Sequence, residues 1–339
     1  MKTAVVILNY NTKDYLRQFL PGLIDSCIGG NASVIVADNA STDGSVEMMK
    51  AEFPRVRLFQ FDQNYGFTGG YNKALAQIDA KYFVLINSDI EVPHGWLQPL
   101  VEWMDAHPKC GACGPKLLSY RQRDYFEYAG AAGGLIDNYG YPFCRGRIMQ
   151  KIEKDEGQYD TPTEDILWVS GACMMVRASL WKELGGLDER FFAHMEEIDL
   201  CWRMQLRGWS VAVVPSSHVY HIGGGTLPSD SPFKLRLNYR NNLLLLENNL
   251  PATYVAEGFG PRLARFFTRI RIWERLFLDA ASQVSYLTTK KWASYRAVAD
   301  AHKEYRELRR KGEIPPNPNL PKGLWDGWIV PKGMSKNQK

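Results

Sequence analysis

Cysteine is scarce, six in 339 residues, and the six do not stand at the spacing of a disulfide framework. Cys110 and Cys113 form a lone CxxC with no second pair at zinc-site distance, so structural thiols are expected there. The N-terminal stretch MKTAVVILNYN lacks an apolar signal region followed by a small-residue cleavage site, and a reducing, cytoplasmic location is the expectation. No run approaches the roughly 18 to 20 apolar residues of a bilayer span. That argues against spanning but leaves open a peripheral position at the inner face of the plasma membrane. A dominant charge is missing too: Lys plus Arg is 41 and Asp plus Glu is 37, a net of +4, which offers no global footprint for nucleic acid.

The composition that remains, 45% hydrophobic and 23% charged, is that of a globular chain. Its charge is unevenly placed. Residues 1–258 hold 24 basic and 30 acidic side chains, whereas 259–311 hold 13 and 5. Four short β-branched or aromatic runs, 4–8 (AVVIL), 33–37 (SVIVA), 57–61 (RLFQF) and 82–86 (YFVLI), predict strands covered on both faces. Segments 14–24, 45–53 and 70–78 between them have helical spacing, and the alternation predicts an α/β fold with a mostly parallel sheet of βαβ units. Farther on, the pattern predicts helices over 95–107, 178–184 and 196–207, strands over 114–119, 166–176 and 211–214, and a glycine-rich irregular loop over 128–146. Residues 234–311 read as helical. The Pro- and Lys-rich tail from Gly312 reads as extended, with Trp325, Trp328 and Ile329 available for docking.

Polar residues stand just past each early strand: Asn9-Tyr10-Asn11, Asp38-Asn39, Asn64-Tyr65-Gly66 and Asn87-Ser88-Asp89. In an open α/β sheet ligands bind outside the carboxyl ends of the strands, so these clusters should converge on one crevice. Asp38 can accept from a base imide or a ribose hydroxyl, while Asp43 and Ser45 suit a helix cap. The glycines of Asn64–Asn72 let the backbone approach a phosphate, in a pattern that is neither GxGxxG nor a P-loop. Asp89 ends the most apolar strand, where a divalent cation bridging it to a diphosphate would supply a partner; a turn cap before Val92-Pro93 is the alternative. Glu196, Glu197 and Asp199 open an amphipathic helix, partly as ordinary complement to the helix dipole. Glu196 and Asp199 are neighbours on it and Glu197 points about 100° away, so one can face the crevice as a general base while another pairs with Arg203. His218 and His221, before Gly223-Gly224-Gly225, suit a metal or phosphate contact or a structural role. Leu263, Phe266, Phe267, Ile270, Trp273, Leu276, Phe277 and Ala280 make one apolar helix face with arginines around it. That face can lie on a membrane, pack on the catalytic domain, or join a homodimer through 259–289.

In order along the chain, VVILNYN, VADNASTDGS, NYGFTGGYN, LINSDIEVP, WVSGACMMVR, GGLDERFFAHMEEIDLCWR and VYHIGG resemble glycosyltransferase family 2, the inverting enzymes of the GT-A fold, and within it the bacterial rhamnosyltransferase-like branch. The resemblance runs through residues 3–245. It implies a doubly wound, mostly parallel sheet with helices on both faces, plus a helical C-terminal extension. The organisation expected is a catalytic domain over 1–245, with a nucleotide-binding part (1–94) and an acceptor part (95–245), a basic helical extension over 246–311 and a tail over 312–339. Asn9, Asn11 and Asp38 are implied around base and ribose, and Asn64, Gly69 and Gly70 near ribose and diphosphate. Asp89 is similar to the last carboxylate of the family's DxD motif, whose first position is here Asn87, and His221 to a histidine that completes the metal site for Mg²⁺ or Mn²⁺. Glu196-Glu197 resembles the Glu-Asp pair whose second member is the catalytic base; Glu197 is one methylene longer than that Asp. Trp168, Gly171 and Ala172 resemble the segment facing the acceptor. The implied reaction moves a sugar from a nucleoside-diphosphate sugar to a hydroxyl of a cell-surface glycan or lipid-linked acceptor. A nucleotidyltransferase would carry a glycine-rich, Arg-containing loop where Asn9-Tyr10-Asn11 stands, and a sugar-nucleotide-binding scaffold would dispense with Asp89 and Glu197.

Overall fold

The four apolar runs of the first 90 residues become the parallel half of one large sheet. The computed structural model describes residues 1–28, 31–223 and 231–330. In it β1 (Thr3–Asn9) lies between β2 (Ala32–Asp38) and β4 (Tyr82–Ile86), and β3 (Arg57–Gln60) pairs outside β2. The crossovers are α1 (Lys13–Cys27), α2 (Ser45–Glu52) and α3 (Gly66–Leu75). Period-2 alternation sorts the strand residues to two cores: Val5, Ile7, Val84 and Ile86 meet α1 and α2, while Val6, Phe83 and Leu85 meet α3. Every residue of β4 is buried, which is why its run shows no polar alternation. Each large side chain so removed from water contributes roughly 1.5–3 kcal/mol.

The second half of the sheet is mixed. After β5 (Ile90–Glu91), α4 (Leu97–Ala106) and β6 (Cys110–Ser119), residues 134–152 build β7 (Gly134–Asp137), β8 (Pro142–Cys144), β9 (Arg147–Ile148) and β10 (Lys151–Ile152). β11 (Cys173–Arg177) then inserts antiparallel between β4 and β6. α5 (Ala178–Glu183) and α6 (Glu196–Leu206) lead to β12 (Ser210–His221), which runs parallel to β6 and takes β5 on its far edge. The order is β3-β2-β1-β4-β11-β6-β12-β5. The expected strand over 166–176 is thus shortened to its last part. Trp168 exchanges backbone hydrogen bonds with Gly134, and a turn at Gly171-Ala172 precedes β11, so 166–172 is buried without joining the sheet. The expected strand over 211–214 instead continues past a register break between Val213 and His218, which puts His218 and His221 inside it. Part of the expected loop over 128–146 is the antiparallel β7–β8 pair. Cys110 and Cys113 are free thiols buried in β6, and burial pushes Cys110 up to about 11.

The helical extension is α7 (Pro232–Ala256), α8 (Pro261–Thr288) and α9 (Trp292–Leu308), three mutually packed helices of which α7 runs across residue 245. The tail then returns as β13 (Leu324–Trp325), which joins the small sheet beside β7, with Ile329 buried under it. Gly224, Gly225 and residues 331–339 lie outside the described residues. α8 faces inward through Ala264, Thr268, Ile272, Arg275 and Asp279, with Leu276 against the same core, while most of its large apolar residues face outward. Arg275 can be there because its Nε pairs with Asp279 at 2.8 Å, Asn242 and the Tyr139 carbonyl accept from its Nη1, and its guanidinium lies over the Tyr141 ring. His302 of α9 approaches the other Asp279 oxygen at 3.1 Å. Asp279→Ala leaves that guanidinium buried and unpaired, and a loss of about 3–5 kcal/mol is expected in urea unfolding. A loss below about 1 kcal/mol would show that water reaches the pair.

Candidate active site

At the carboxyl ends of β1 and β2, register places Asn9 beside Asp38. The Asn9 amide donates to Asp38 at 2.7 Å and to Ser41 at 3.0 Å and accepts from Thr12. Its polar atoms are therefore committed, and Asn9, expected at the base, instead aims Asp38. The second Asp38 oxygen accepts from the Ser41 N–H at 2.9 Å, and the carboxylate stays buried at the strand end. Asn11, at φ 54°, accepts the Thr42 N–H at 2.8 Å and ties the β1 loop to the β2 loop. Asp43 accepts the N–H groups of Lys13 and Ser45, the first residues of α1 and α2, which is the capping role its position suggests. Asn39 and Asn64 bond to each other at 2.9 Å, and Asn64 also caps Gly66. Gly69 and Gly70, expected near the diphosphate, lie within α3. A Cβ on Gly70 would stand 2.7 Å from Leu8, so this glycine lets α3 close onto β1.

Past β4, the Asp89 and His221 side chains converge, with Asp89 Oδ1 at 3.2 Å from His221 Nε2 and Asn87 Nδ2 at 3.4 Å from the same nitrogen. Glu127 lies behind the imidazole, 3.3 Å from Nδ1 without the alignment of a hydrogen bond, and is itself fixed by the Ala129 N–H. Burial opposes the charge of both partners, but their attraction outweighs it. Asp89 is held below its ordinary value and His221 is pushed up to about 10 by Asp89 and Glu127. Among the described residues no three His, Cys, Asp or Glu side chains cluster as a protein-only metal cage. A carboxylate oxygen and an imidazole nitrogen side by side do fit a divalent cation that completes its shell with phosphate oxygens and water, and Glu127 is placed to orient the imidazole from behind.

The third element is the start of α6. Phe192, His194 and Met195 all have positive φ (63°, 72° and 70°), conformations that cost on the order of 1 kcal/mol each outside glycine. They turn the chain so that Glu196 and Glu197 enter the helix beside the crevice. His194 Nε2, Glu196 Oε2 and Glu197 Oε2 are buried without hydrogen-bond partners among the described residues. Burial, and for Glu196 the neighbouring Glu197, raises both carboxyls; Glu197 is pushed up to about 7, with the backbone N–H groups of Ile198 and Gly171 pulling the other way. Glu196 is the more deeply buried of the two, while Glu197 faces Gly171, whose Cβ would lie 3.5 Å from its own. The next residue, Ala172, accepts the Asn87 N–H at 2.9 Å, so the acidic helix start and the Asp89–His221 pair share one wall. Asp199 points into the body of the protein. It pairs with Arg203 at 2.7 Å and accepts from Asn248 and Asn249. Trp168, expected at the acceptor, is buried over Gly134 with its indole N–H given to Leu135.

Asn241 was invisible as a site residue in the sequence. It is buried in α7 and donates to the carbonyls of Phe191, Ala193 and His194, while Arg240 also reaches Phe191. The Asn-Asn pair at 241–242 inside a leucine-rich helix was the available signal, since a buried amide needs partners. Asn241→Ala removes the two N–H donors that the three carbonyls of the strained segment share, and a stability loss of roughly 2–4 kcal/mol is expected. Turnover should fall by a larger factor than donor KM rises, because the segment leads directly into Glu197 and meets the start of α3 through the Phe192 carbonyl, which accepts the Phe67 N–H at 2.7 Å. Unchanged kcat in a destabilised variant would show that the strained backbone is irrelevant to the acid pair. Glu127 was likewise missed, isolated in sequence from every motif. A groove of about 580 Å³ at the opposite end of the sheet, lined by Ile24, Cys27, Asn31, Pro54 and Arg55, holds none of these residues.

Comparison with known proteins places these elements in a family. The model of glycosyl transferase family 2 matches residues 4–185. The N-acetylglucosaminyl-diphospho-decaprenol L-rhamnosyltransferase of Mycobacterium tuberculosis is 28% identical over 265 residues, 71% of this chain and 83% of that protein. The rhamnosyltransferase WbbL of Escherichia coli is 24% identical over 228 residues, 64% of this chain and 82% of its own. Among solved structures, a mannosyltransferase of Pyrobaculum calidifontis in complex with GDP-Man and Mn²⁺ has a TM-score of 0.53 over 91% of this chain and 88% of its own, at 15% identity, a likeness of fold.

Proposed function

This chain belongs to glycosyl transferase family 2, and on that premise we propose that it transfers a hexose, rhamnose first among the candidates, from a nucleoside-diphosphate sugar to a hydroxyl of a lipid-linked glycan, with inversion. The observation that carries the reading is Glu197: a carboxyl with one oxygen unpartnered among the described residues, pushed up to about 7 by burial, beside Gly171 on the wall that also holds Asn87 and Asp89. A group so tuned is poised to take a proton at neutral pH. Support for the acceptor class comes from the mycobacterial relative, whose name places its sugar acceptor on decaprenol diphosphate.

Asp38, aimed by Asn9 and Ser41, receives the base or ribose, and the Asn39–Asn64 pair holds the loop beside it. Asp89 and His221 would hold Mg²⁺ or Mn²⁺, and when bound the cation supplies charge neutralisation at the departing diphosphate. The acceptor hydroxyl lies between Glu197 and the anomeric carbon. As its oxygen forms the new C–O bond, its proton passes to Glu197. The old bond to the diphosphate breaks with its electron pair leaving on the phosphate oxygen, on the face opposite the attack. Glu196, its carboxyl raised well above the ordinary range by burial and by Glu197, lies behind the base.

The test is to incubate the full chain with dTDP-, UDP- and GDP-sugars, a divalent cation and a polyprenyl-diphosphate-linked amino sugar. Acceptor-dependent release of one nucleoside diphosphate, with a lipid product one sugar longer, is the expected result. Release that does not depend on acceptor, or none from any donor, would overturn the proposal.

A further inference from the structure

α8 shows the solvent a face that a globular protein ordinarily covers. Leu263, Phe266, Ile270, Trp273, Phe277 and Val284, spaced 3, 4, 3, 4 and 7 residues apart, form one stripe along the helix, all exposed. Trp273 is 73% exposed and Phe277 75%. The opposite side, Ala264 to Asp279, is the one that packs on α7 and α9. The apolar face is therefore not the inner surface of the domain, and a row of large aromatic side chains in water calls for an occupant.

Charge decides which occupant. Arg262 and Arg269 are exposed along one edge of the stripe and Lys290 and Lys291 stand exposed just beyond its C-terminal end. The exposed acid of the helix, Glu274, is already held by Arg271 at 2.9 Å. A second copy would bring these cations against their own images with no free carboxylate between them, whereas an anionic lipid surface answers all four. Among the described residues no helix is long and apolar enough to cross a membrane, so the contact is a surface one.

We infer that the outer face of α8 docks this protein on an anionic membrane, with Trp273 and Phe277 at the depth of the headgroups and Arg262, Arg269, Lys290 and Lys291 over the lipid charge. The inference deepens the proposed function, because a lipid-linked acceptor is presented from such a surface, but it is tested without donor or acceptor.

Full-length protein is sedimented with phosphatidylcholine vesicles, with and without phosphatidylglycerol, at low and high salt. Binding to the anionic vesicles that high salt weakens is expected. Trp273→Ser with Phe277→Ser should lower the bound fraction at least about tenfold at unchanged melting temperature, since both side chains are exposed, and Arg262→Glu with Arg269→Glu should abolish the preference for anionic lipid. Full-length protein that ignores both vesicles, or that is a dimer in solution which the Trp273/Phe277 double variant dissociates, overturns the inference. Acceptor-dependent transfer is read separately, so failure of the vesicle result leaves the transferase reading standing, and the reverse holds.

Discussion

Glu197→Gln should lower turnover at least about 10²-fold, leave donor binding intact, and make the protein more stable at neutral pH. The first effect follows from removing the group that takes the acceptor proton. The second follows from its position at the start of α6 beside Gly171, whereas the proposed nucleotide contacts, Asp38 and the Asn39–Asn64 pair, stand at or after the ends of β2 and β3. The third has its own cause. Burial pushes Glu197 up to about 7 in the folded chain from 4.5 as a free side chain, so its folded-state pKa is raised. The protonated form therefore supports the fold fully below about 4.5, and that support is lost as pH rises through about 7. Gln keeps the shape without the charge, and a gain on the order of 1–3 kcal/mol is expected at pH above 7, shrinking toward zero near pH 4. Activity runs the other way. In the wild type kcat/KM should climb through neutrality as the Glu196–Glu197 pair gives up a proton, and the climb should vanish in the variant. If Glu196→Gln shows the larger loss of turnover, the base is the deeper carboxyl.

The sheet was legible because its strands are buried on both faces and their runs say so; β4 is apolar at every position and formed where the run stands. At the candidate site, position was the legible part: Asp38 and Asp89 stand buried at or just past the ends of β2 and β4, as their place after apolar runs implies. Gly70 shows the limit. A glycine beside a phosphate and a glycine beside Leu8 look alike in one dimension, and only the approach of α3 to β1 tells them apart. Trp168 is the same case, since its indole partner Leu135 lies far off in sequence, whereas the pairing of one helix-start acid with Arg203 was legible from the i,i+4 spacing and only its assignment to Asp199 needed the structure. The inward face of α8 was misleading for a different reason. Apolar periodicity marks a face but not its direction, and the pair Arg275–Asp279 made the smaller, more polar side the one that could be buried.

Asp89→Ala should lose both turnover, by at least about 10²-fold, and the cation-dependent part of nucleotide binding, with stability moving opposite to that of Glu197→Gln. Asp89 is buried just past β4 against His221, whose imidazole Asp89 and Glu127 push up to about 10 against the opposing effect of burial. Taking away the Asp89 carboxylate leaves that buried cation one partner short, at a cost of about 3–5 kcal/mol if the structure does not relax. The variant should still fold, since the β1–β2–β4 core does not depend on Asp89, but it should melt several degrees lower. Melting in the presence of a nucleoside diphosphate, with and without Mn²⁺, separates the roles. The wild type and Glu197→Gln should both be stabilised further when the cation accompanies the nucleotide, because a ligand that binds the folded state alone raises stability by mass action. Asp89→Ala should respond to the nucleotide through Asp38 but gain nothing from Mn²⁺. An undiminished Mn²⁺ increment in that variant would put the cation somewhere other than Asp89 and His221, and would leave Asp89 as a structural partner of the histidine.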